Sequence, residues 1–211
     1  MTILTEGQIE FLKALKKSNL SKSFYLTRGT ALSQYYLKHR ISEDLDFFTE
    51  KNFSVNEVIS FLKKCKFISD IKYNSFYDRR IFILTTNKGI LKTEFSFYPF
   101  KHIKPPNYID GLYIDSREDI FVNKLTAISE RREVKDYVDI LFILSLEGVN
   151  KIIWAIEKVK EKFGVKGIEY IIQQRFTEPP DFKDVQLKLI KPLPDPKIIE
   201  KALHILIKKY W

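Results

Sequence analysis

The feature that most constrains the fold is a pair of aspartates, Asp44 and Asp46, within a stretch that reads as a β-strand. Alternate residues of a strand point to the same face, so both carboxylates leave one side while Leu45 and Phe47 face the core. Two like charges this close repel each other, and a further charge must therefore compensate them. A hard divalent cation does so, because Mg²⁺ is typically held by one or two carboxylates together with substrate phosphates. The pattern predicts a metal-binding strand.

The residues before this strand predict an anion-binding turn. Phe24 to Thr27 reads as a strand, followed by a turn over residues 28–30 and a short helix to Leu37. Gly29 lets the backbone approach a ligand closely, and Thr30 is a suitable N-cap for the helix. A helix N-terminus presents free N–H groups to an anion such as a triphosphate. A phosphate cradle and metal carboxylates are thus predicted within one strand–turn–helix–loop–strand unit.

Together these segments resemble a known family. R-G-T-A-L (residues 28–32) and R-I-S-E-D-L-D-F-F (residues 40–48) resemble the AbiEii/AbiGii-type toxin family of nucleotidyltransferases. The usual family form is G-G-T-A-L, a short gap, then R-x-S-x-D-x-D-F. A lone D-x-D is common, whereas this order and spacing are specific. Arg28 replaces the first glycine of the pair, and it either adds a cation for phosphate or crowds the turn. Arg40 matches a family position, which implies contact with phosphate or pairing with the acidic cluster.

A β-hairpin is predicted after these motifs, with strands at Arg79–Thr86 and Ile90–Tyr98 and a turn at residues 87–89. Nucleotidyltransferases of this superfamily place a third carboxylate on the strand next to the D-x-D strand, and Glu94 stands in the matching place. The resemblance implies a carboxylate set for two Mg²⁺ ions, one activating the attacking hydroxyl and one steadying the pyrophosphate. The alternative is an exposed glutamate paired with Lys92.

A second block of resemblance follows a predicted linker, residues 101–115, which contains Pro-Pro and Asp-Gly breakers. Two helical patterns, at residues 117–131 and 134–146, resemble the family's K-L-x-A-x-x-x-R and R-D-x-x-D-L. The matching polar positions are Lys124, Arg131, Asp136 and Asp139, with Lys135 in place of the more usual Arg. We expect Lys124 to offset triphosphate charge, and the two aspartates to orient Lys124 or Arg131 by ion pairing. The alternative for the aspartates is a surface i,i+3 polar pair.

The sequence as a whole predicts an α+β fold in two domains. Residues 1–115 are expected to form a nucleotidyltransferase-like mixed sheet with flanking helices. Residues 116–211 are expected to form a C-terminal helical domain that completes the active-site cleft. Further helices are predicted at residues 151–163, 165–176 and 197–211, and an irregular, proline-bounded segment at residues 181–193.

Composition limits the class of partner. The formal net charge of +9 suits a polyanionic partner such as RNA, although scattered surface lysines explain it equally well. No apolar run approaches the ~18 residues of a membrane span. Cys65 is the lone cysteine, which fits a cytoplasmic location and a core position. His39 is expected on the surface of a loop.

The first functional hypothesis is an Mg²⁺-dependent nucleotidyltransferase that moves an NMP from an NTP to an acceptor hydroxyl. The resemblance implies a toxin of a toxin–antitoxin or abortive-infection system, an RNA acceptor such as tRNA, and a separately encoded antitoxin. The alternative is a non-catalytic nucleotide- or RNA-binding module on the same scaffold, favoured by Arg28 and opposed by the intact carboxylates. A carboxylate-metal nuclease ranks last, because it would not need the Gly-Thr turn and helix.

Overall fold

The computed structural model describes residues 2–182 and 187–211 and falls into two compact units. Unit 1 comprises Met1–Tyr35, Ile41–Lys101 and Pro105–Asp115. Unit 2 comprises Tyr36–Arg40, His102–Lys104 and Ser116–Trp211. The roles predicted for residues 1–115 and 116–211, a catalytic domain and a domain that completes its cleft, stay predictions.

Unit 1 is built on a mixed seven-stranded sheet with the order β3-β4-β5-β2-β1-β7-β6. Its strands are β1 (Tyr25–Thr27), β2 (Leu45–Thr49), β3 (Ile68–Phe76), β4 (Arg79–Thr86), β5 (Gly89–Phe97), β6 (Asn107–Ile109) and β7 (Leu112–Ile114). β2 pairs in parallel with β5 and antiparallel with β1, while β3, β4 and β5 form an antiparallel meander. The α+β class predicted from the sequence is confirmed, as is the hairpin beside the aspartate strand.

One face of the sheet carries the aromatic core of unit 1, covered by helices α1 (Glu6–Lys16) and α3 (Val55–Lys64). Phe47 of β2 stacks between Phe95 of β5, at 5.0 Å, and Phe11 of α1, at 6.0 Å. Phe11 also meets Phe61 of α3 edge-on at 5.7 Å. Because Phe47 lies on this face, its neighbour Asp46 lies on the opposite face, as strand alternation predicts.

The segment predicted as a linker contributes to the sheet instead. Residues 107–114 form the hairpin of β6 and β7, and β7 pairs in parallel with β1. The Asp-Gly step is its turn, where Asp110 and Gly111 both have positive φ. The linker prediction for residues 101–115 was wrong here, because strands of three residues are too short for apolar alternation to reveal them.

Unit 2 is largely helical, as predicted. Its helices are α4 (Arg117–Glu130), α5 (Val134–Glu147), α6 (Lys151–Phe163), α7 (Ile168–Thr177) and α8 (Lys197–Tyr210). The irregular segment predicted at residues 181–193 lies partly outside the described residues. Within its described part, Leu189 forms an isolated antiparallel bridge with Arg40, and the amide of Ile190 donates to the carbonyl of His39 at 2.8 Å.

The Phe47→Ala variant tests the aromatic core. Phe47 is 1% exposed, so its truncation leaves a cavity and is expected to lower the free energy of unfolding by about 3–5 kcal/mol. The matched control is Phe76→Ala on β3, where the ring is 58% exposed and a change within about 0.5 kcal/mol is expected. Urea unfolding of both variants checks the difference; equal losses would contradict this packing.

Candidate active site

The site is organised around the register of β2 and β5. Asp46 and Glu94 are direct neighbours across the parallel pair of strands, so their side chains leave the same face of the sheet. Asp46 is 8% exposed and Glu94 is 1% exposed. The alternative of an exposed Glu94 paired with Lys92 was wrong, because Lys92 pairs with Asp44 instead, at 2.9 Å.

The two buried carboxylates converge on a single cationic atom. Nη1 of Arg28 lies 3.0 Å from Oδ1 of Asp46 and 3.2 Å from Oε1 of Glu94. Its guanidinium also lies over the ring of Phe48, 4.8 Å from the ring centroid. Burial lowers the pKa of Arg28, but the charges of Asp46 and Glu94 outweigh it and raise the pKa above its ordinary value.

Glu94 is held by more than Arg28. Arg79, at the start of β4, donates from Nε to Oε1 at 2.8 Å and from Nη2 to Oε2 at 2.5 Å. The hydroxyl of Ser96 donates to Oε1 at 2.7 Å. Burial raises the pKa of Glu94, but the Arg79 hydrogen bond and the nearby Arg28 charge outweigh it and lower the pKa to about 2. Glu94 is therefore ionised at neutral pH.

The pKa of Asp46 is shifted in the opposite direction. Burial raises its pKa, the Arg28 charge lowers it, and the like charges of Glu94 and Asp44 raise it again, so that the net pKa lies above the ordinary value. Burial is the largest of these effects and disfavours the ionised form of Asp46, which a divalent cation beside it would favour.

Asp44 lies just before β2 rather than on it and is half-buried. The main chain at Asp44 is tied to the helix after β1, because the hydroxyl of Thr30 donates to its carbonyl oxygen. Thr30 is therefore not the N-cap that the sequence predicted. The helix begins at Arg28, its N-cap position is Thr27, and Thr30 and Gly29 are buried within its first turn.

Helix α2 (Arg28–Ala31) continues as wider π-type turns over Leu32–Leu37. The predicted turn at residues 28–30 is thus already helical, and its first residue has an unusual backbone. Arg28 has φ +58°, in the left-handed region that glycine adopts most easily. The family motif has glycine at this position, so the backbone conformation explains why glycine is usual there.

The donor set fits a hard divalent cation. Asp44 and Asp46 supply carboxylate oxygens, which Mg²⁺ prefers, and Asp46 and Glu94 already converge on a cation position. That position is held by the Arg28 guanidinium, and both oxygens of Glu94 accept from Arg79. Asp46 and Glu94 are thus paired with arginines and Asp44 with Lys92, and the role of these three carboxylates as metal ligands stays a prediction.

Beyond Glu94 the same face of the sheet remains open. The register of β4 and β5 places Ile81 beside Glu94 and Ile83 beside Lys92. The register of β3 and β4 then places Asn74 beside Ile81, Lys72 beside Ile83 and Phe76 beside Arg79. Lys72, Asn74 and Phe76 are exposed. We call residues 72, 74, 76, 81 and 83 the outer sheet face. It combines an aromatic ring, two aliphatic side chains and a cation on the face of the sheet that carries Glu94.

The predicted polar residues of unit 2 form a buried charge network. Nζ of Lys124 lies 2.6 Å from both Asp136 and Asp139, and Nε of Arg131 lies 2.9 Å from Asp136. Both aspartates are fully buried, so the alternative of a surface polar pair was wrong, and the predicted orientation of Lys124 and Arg131 by these aspartates is observed.

Two residues of the basic loop complete this network. Arg40 donates to Asp139 from Nε at 2.7 Å and from Nη2 at 2.9 Å, and Nε2 of His39 lies 2.7 Å from the same carboxylate. His39 is fully buried, so the prediction of a surface position was wrong. Arg40 is 3% exposed and pairs with Asp139; its predicted contact with phosphate stays a prediction.

Charge compensation sets the pKa values of this network. Burial raises the pKa of Asp139, but Lys124, Arg40 and the His39 hydrogen bond outweigh it and hold the pKa well below its usual range. The pKa of Asp136 is lowered in the same way by Lys124 and Arg131, against burial. Burial lowers the pKa of His39.

Sequence reasoning missed Arg79 and Thr27 as neighbours of the site. Thr27 ends β1 and donates to Asp115 at 2.6 Å. Arg79 opens the strong β4 pattern, and its place beside Glu94 follows from the register of the hairpin. The register of this hairpin was the feature of the sequence that could have placed Arg79 near Glu94, because a short turn fixes which residues of the two strands face each other.

Comparison with known proteins supports the assignment of the fold. A model of the family described as "Nucleotidyl transferase AbiEii toxin, Type IV TA system" matches residues 10–204. An uncharacterised protein of Aquifex aeolicus (strain VF5) is 33% identical over 154 residues, 70% of either chain. A candidate nucleotidyltransferase from H. pylori is 20% identical, with a TM-score of 0.63 over 98% of this chain and 97% of its own. JHP933 from Helicobacter pylori is also 20% identical, with a TM-score of 0.60 over 98% and 94%.

The mixed seven-stranded sheet with its flanking helices belongs to a fold that the chain shares with both Helicobacter pylori proteins. The chain belongs to the AbiEii family of nucleotidyltransferase toxins of type IV toxin–antitoxin systems. The family resemblance stated from the motifs is confirmed, and membership favours an enzyme over the non-catalytic module and the nuclease. Within the described residues, no helix is long and apolar enough to cross a membrane.

The charge network of unit 2 predicts acid sensitivity. The pKa values of Asp136 and Asp139 are lowered in the folded state, so their stabilisation is present above about pH 4, the unfolded value. It is lost as the pH falls through the folded values below that. Thermal unfolding between pH 7 and pH 2 should show this loss.

The Asp139→Asn variant should remove much of that pH dependence. At pH 7 its free energy of unfolding should be lower by about 3–5 kcal/mol, because Arg40 and Lys124 lose the negative charge that Asp139 provides. The control is Glu161→Gln, which removes an exposed ion pair with Lys158 worth about 0–1 kcal/mol. An Asp139→Asn protein as stable as the control would contradict the role of the network.

Proposed function

We propose that the protein transfers an NMP from an NTP to an acceptor hydroxyl, with Asp44, Asp46 and Glu94 as the catalytic carboxylates. The observation that carries this proposal is the convergence of buried Asp46 and Glu94 on one cation position. In the reaction the acceptor oxygen forms a bond to the α-phosphorus, and the bond to the pyrophosphate oxygen breaks. Catalysis of this kind rests on positioning and electrostatics.

Mg²⁺ is the proposed cofactor, held by Asp44 and Asp46 with a contribution from Glu94. When bound, it supplies charge neutralisation for the phosphates and the leaving pyrophosphate. The chain's own residues then position the substrate. Thr30 fixes the main chain at Asp44 relative to the helix after β1, and Gly29 and Thr30 are proposed to bind the NTP phosphates from that helix.

Basic residues are proposed to take part as well. Arg28 pairs with both Asp46 and Glu94 and is 34% exposed, so it can reach an incoming phosphate. Arg40, Lys124 and Asp136 are proposed as further site residues. Support for Lys124 is its ion pairing with Asp136 and Asp139, which holds its ammonium group in a fixed place.

RNA is the proposed acceptor, with tRNA the first candidate. The net charge of +9 supports a polyanionic partner. The outer sheet face adds a second argument, because an exposed aromatic ring beside cations is the kind of surface on which unpaired bases stack. Its position next to Glu94 suits an acceptor whose terminal hydroxyl reaches the carboxylates. A cytoplasmic location, where NTPs and tRNA are present, and a separately encoded antitoxin complete the proposal.

The Asp46→Asn variant tests the proposed function. Purified protein is incubated with each α-labelled NTP, Mg²⁺ and total tRNA, and label on RNA is measured. We expect transfer from the preferred nucleotide, with Asp46→Asn lowering kcat at least about 100-fold, the scale for losing a preorganised electrostatic group.

Two comparisons make that assay decisive. The matched control is Asp70→Asn on β3, an exposed carboxylate of the same sheet, which should retain activity. Full activity of Asp46→Asn at matched Mg²⁺ would overturn the carboxylate assignment. Label on the protein rather than on RNA would contradict the proposal that RNA is the acceptor, while still supporting nucleotidyl transfer.

The Phe76→Ala variant tests the outer sheet face. A stacked base contributes about 1–3 kcal/mol, so KM for the RNA acceptor should rise about ten-fold while kcat changes little. The control is Tyr73→Ala, on the same strand but on the opposite face, where its ring packs 5.1 Å from Phe82. Steady-state kinetics on folded proteins give the comparison; equal KM values for Phe76→Ala and wild type would remove this face from the acceptor site.

A further inference from the structure

We propose that Arg28 is a tethered cation that occupies the metal position between Asp46 and Glu94, so that a divalent ion binds there only by exchange with its guanidinium. The inference deepens the proposed function and rests on it, because the same carboxylates are proposed to bind Mg²⁺. It assigns Arg28 as the residue that sets the metal affinity of the site.

The geometry of one atom is the first support. Nη1 of Arg28 lies within 3.2 Å of a carboxylate oxygen on each of two adjacent strands. A cation that bridges these two oxygens must occupy the same space as that atom. Metal and guanidinium therefore compete for one position.

The backbone of Arg28 is the second support. With φ +58° it adopts a left-handed conformation that costs free energy for a residue with a side chain. The conformation aims the side chain at Asp46 and Glu94, and Phe48 lies beneath the guanidinium. The carboxylates thus hold Arg28 in place, and a stronger cation at the same oxygens would release it.

The third support is the difference between Arg28 and Arg79. Arg79 binds both oxygens of Glu94 but is not paired with Asp46, so its contacts do not join the two carboxylates. Arg28 is the cation that joins both carboxylates. Exchange would free the Arg28 guanidinium beside the incoming phosphates, so that NTP and metal should each favour the binding of the other.

Substitution of Arg28 separates these effects. Arg28→Gly removes the tethered cation and also suits the left-handed backbone, so the variant is expected to fold. Arg28→Lys keeps one positive charge but lacks the planar set of N–H donors of the guanidinium group. The control is Lys13→Ala, an exposed cation of helix α1 in the same unit.

The measurement is the dissociation constant for Mn²⁺, read without turnover from the electron paramagnetic resonance signal of the free ion. We expect Arg28→Gly to bind Mn²⁺ at least ten-fold more tightly than wild type, Arg28→Lys to lie between them, and Lys13→Ala to match wild type. Adding Asp46→Asn to Arg28→Gly should abolish the gain. With a non-hydrolysable NTP analogue present, the gain from Arg28→Gly should shrink.

An unchanged or weaker Mn²⁺ affinity in Arg28→Gly would overturn the inference, and so would a gain that survives Asp46→Asn. The two proposals fail in different ways. If the wild-type protein transfers NMP and Arg28→Gly has an unchanged affinity for Mn²⁺, the proposed exchange is rejected and the proposed function stands. A tighter, Asp46-dependent site in a protein that transfers no nucleotide would keep the exchange and reject the function.

Discussion

The constraint on which the rest of unit 1 depends is the burial of two carboxylates side by side on one face of a sheet. Asp46 and Glu94 repel each other, and because both are buried they have little water to screen their charges. Their negative charges are compensated by Arg28 and Arg79, which contact the carboxylates from opposite sides along the sheet. Two positions provide this compensation: Arg28, the left-handed residue that opens α2, and Arg79, the first residue of β4.

Much of this arrangement could be predicted from local sequence. Alternation along β2 assigns Asp46 and Phe47 to opposite faces, and the short turn before β5 fixes the β4–β5 hairpin. The family motif adds Glu94, whose neighbour lies 48 residues away in a parallel strand. No local pattern encodes such a pairing, because parallel strands are joined by long connections rather than by a turn.

The errors have a common physical cause. His39 looked like a surface residue of a basic loop, yet its partner Asp139 is 100 residues away in the sequence. The alternative of an exposed Asp136–Asp139 pair was wrong for the same reason, because the cations that permit their burial lie on other segments. Buried charge is poorly predicted from sequence for this reason: its free energy depends on partners that only the folded chain brings near. The β6–β7 hairpin was missed for a different reason, the brevity of its strands.

Unit 2 is discontinuous in the chain, and this has a consequence for biosynthesis. The segment Tyr36–Arg40 leaves the ribosome about 100 residues before α5, which at 5–20 residues per second is a delay of about 5–20 s. During that interval Arg40 and His39 have no Asp139 to bind and must stay hydrated. The nascent N-terminal half therefore cannot complete its structure co-translationally around these residues. On every newly made chain, the basic segment is synthesised well before the helix that carries Asp139.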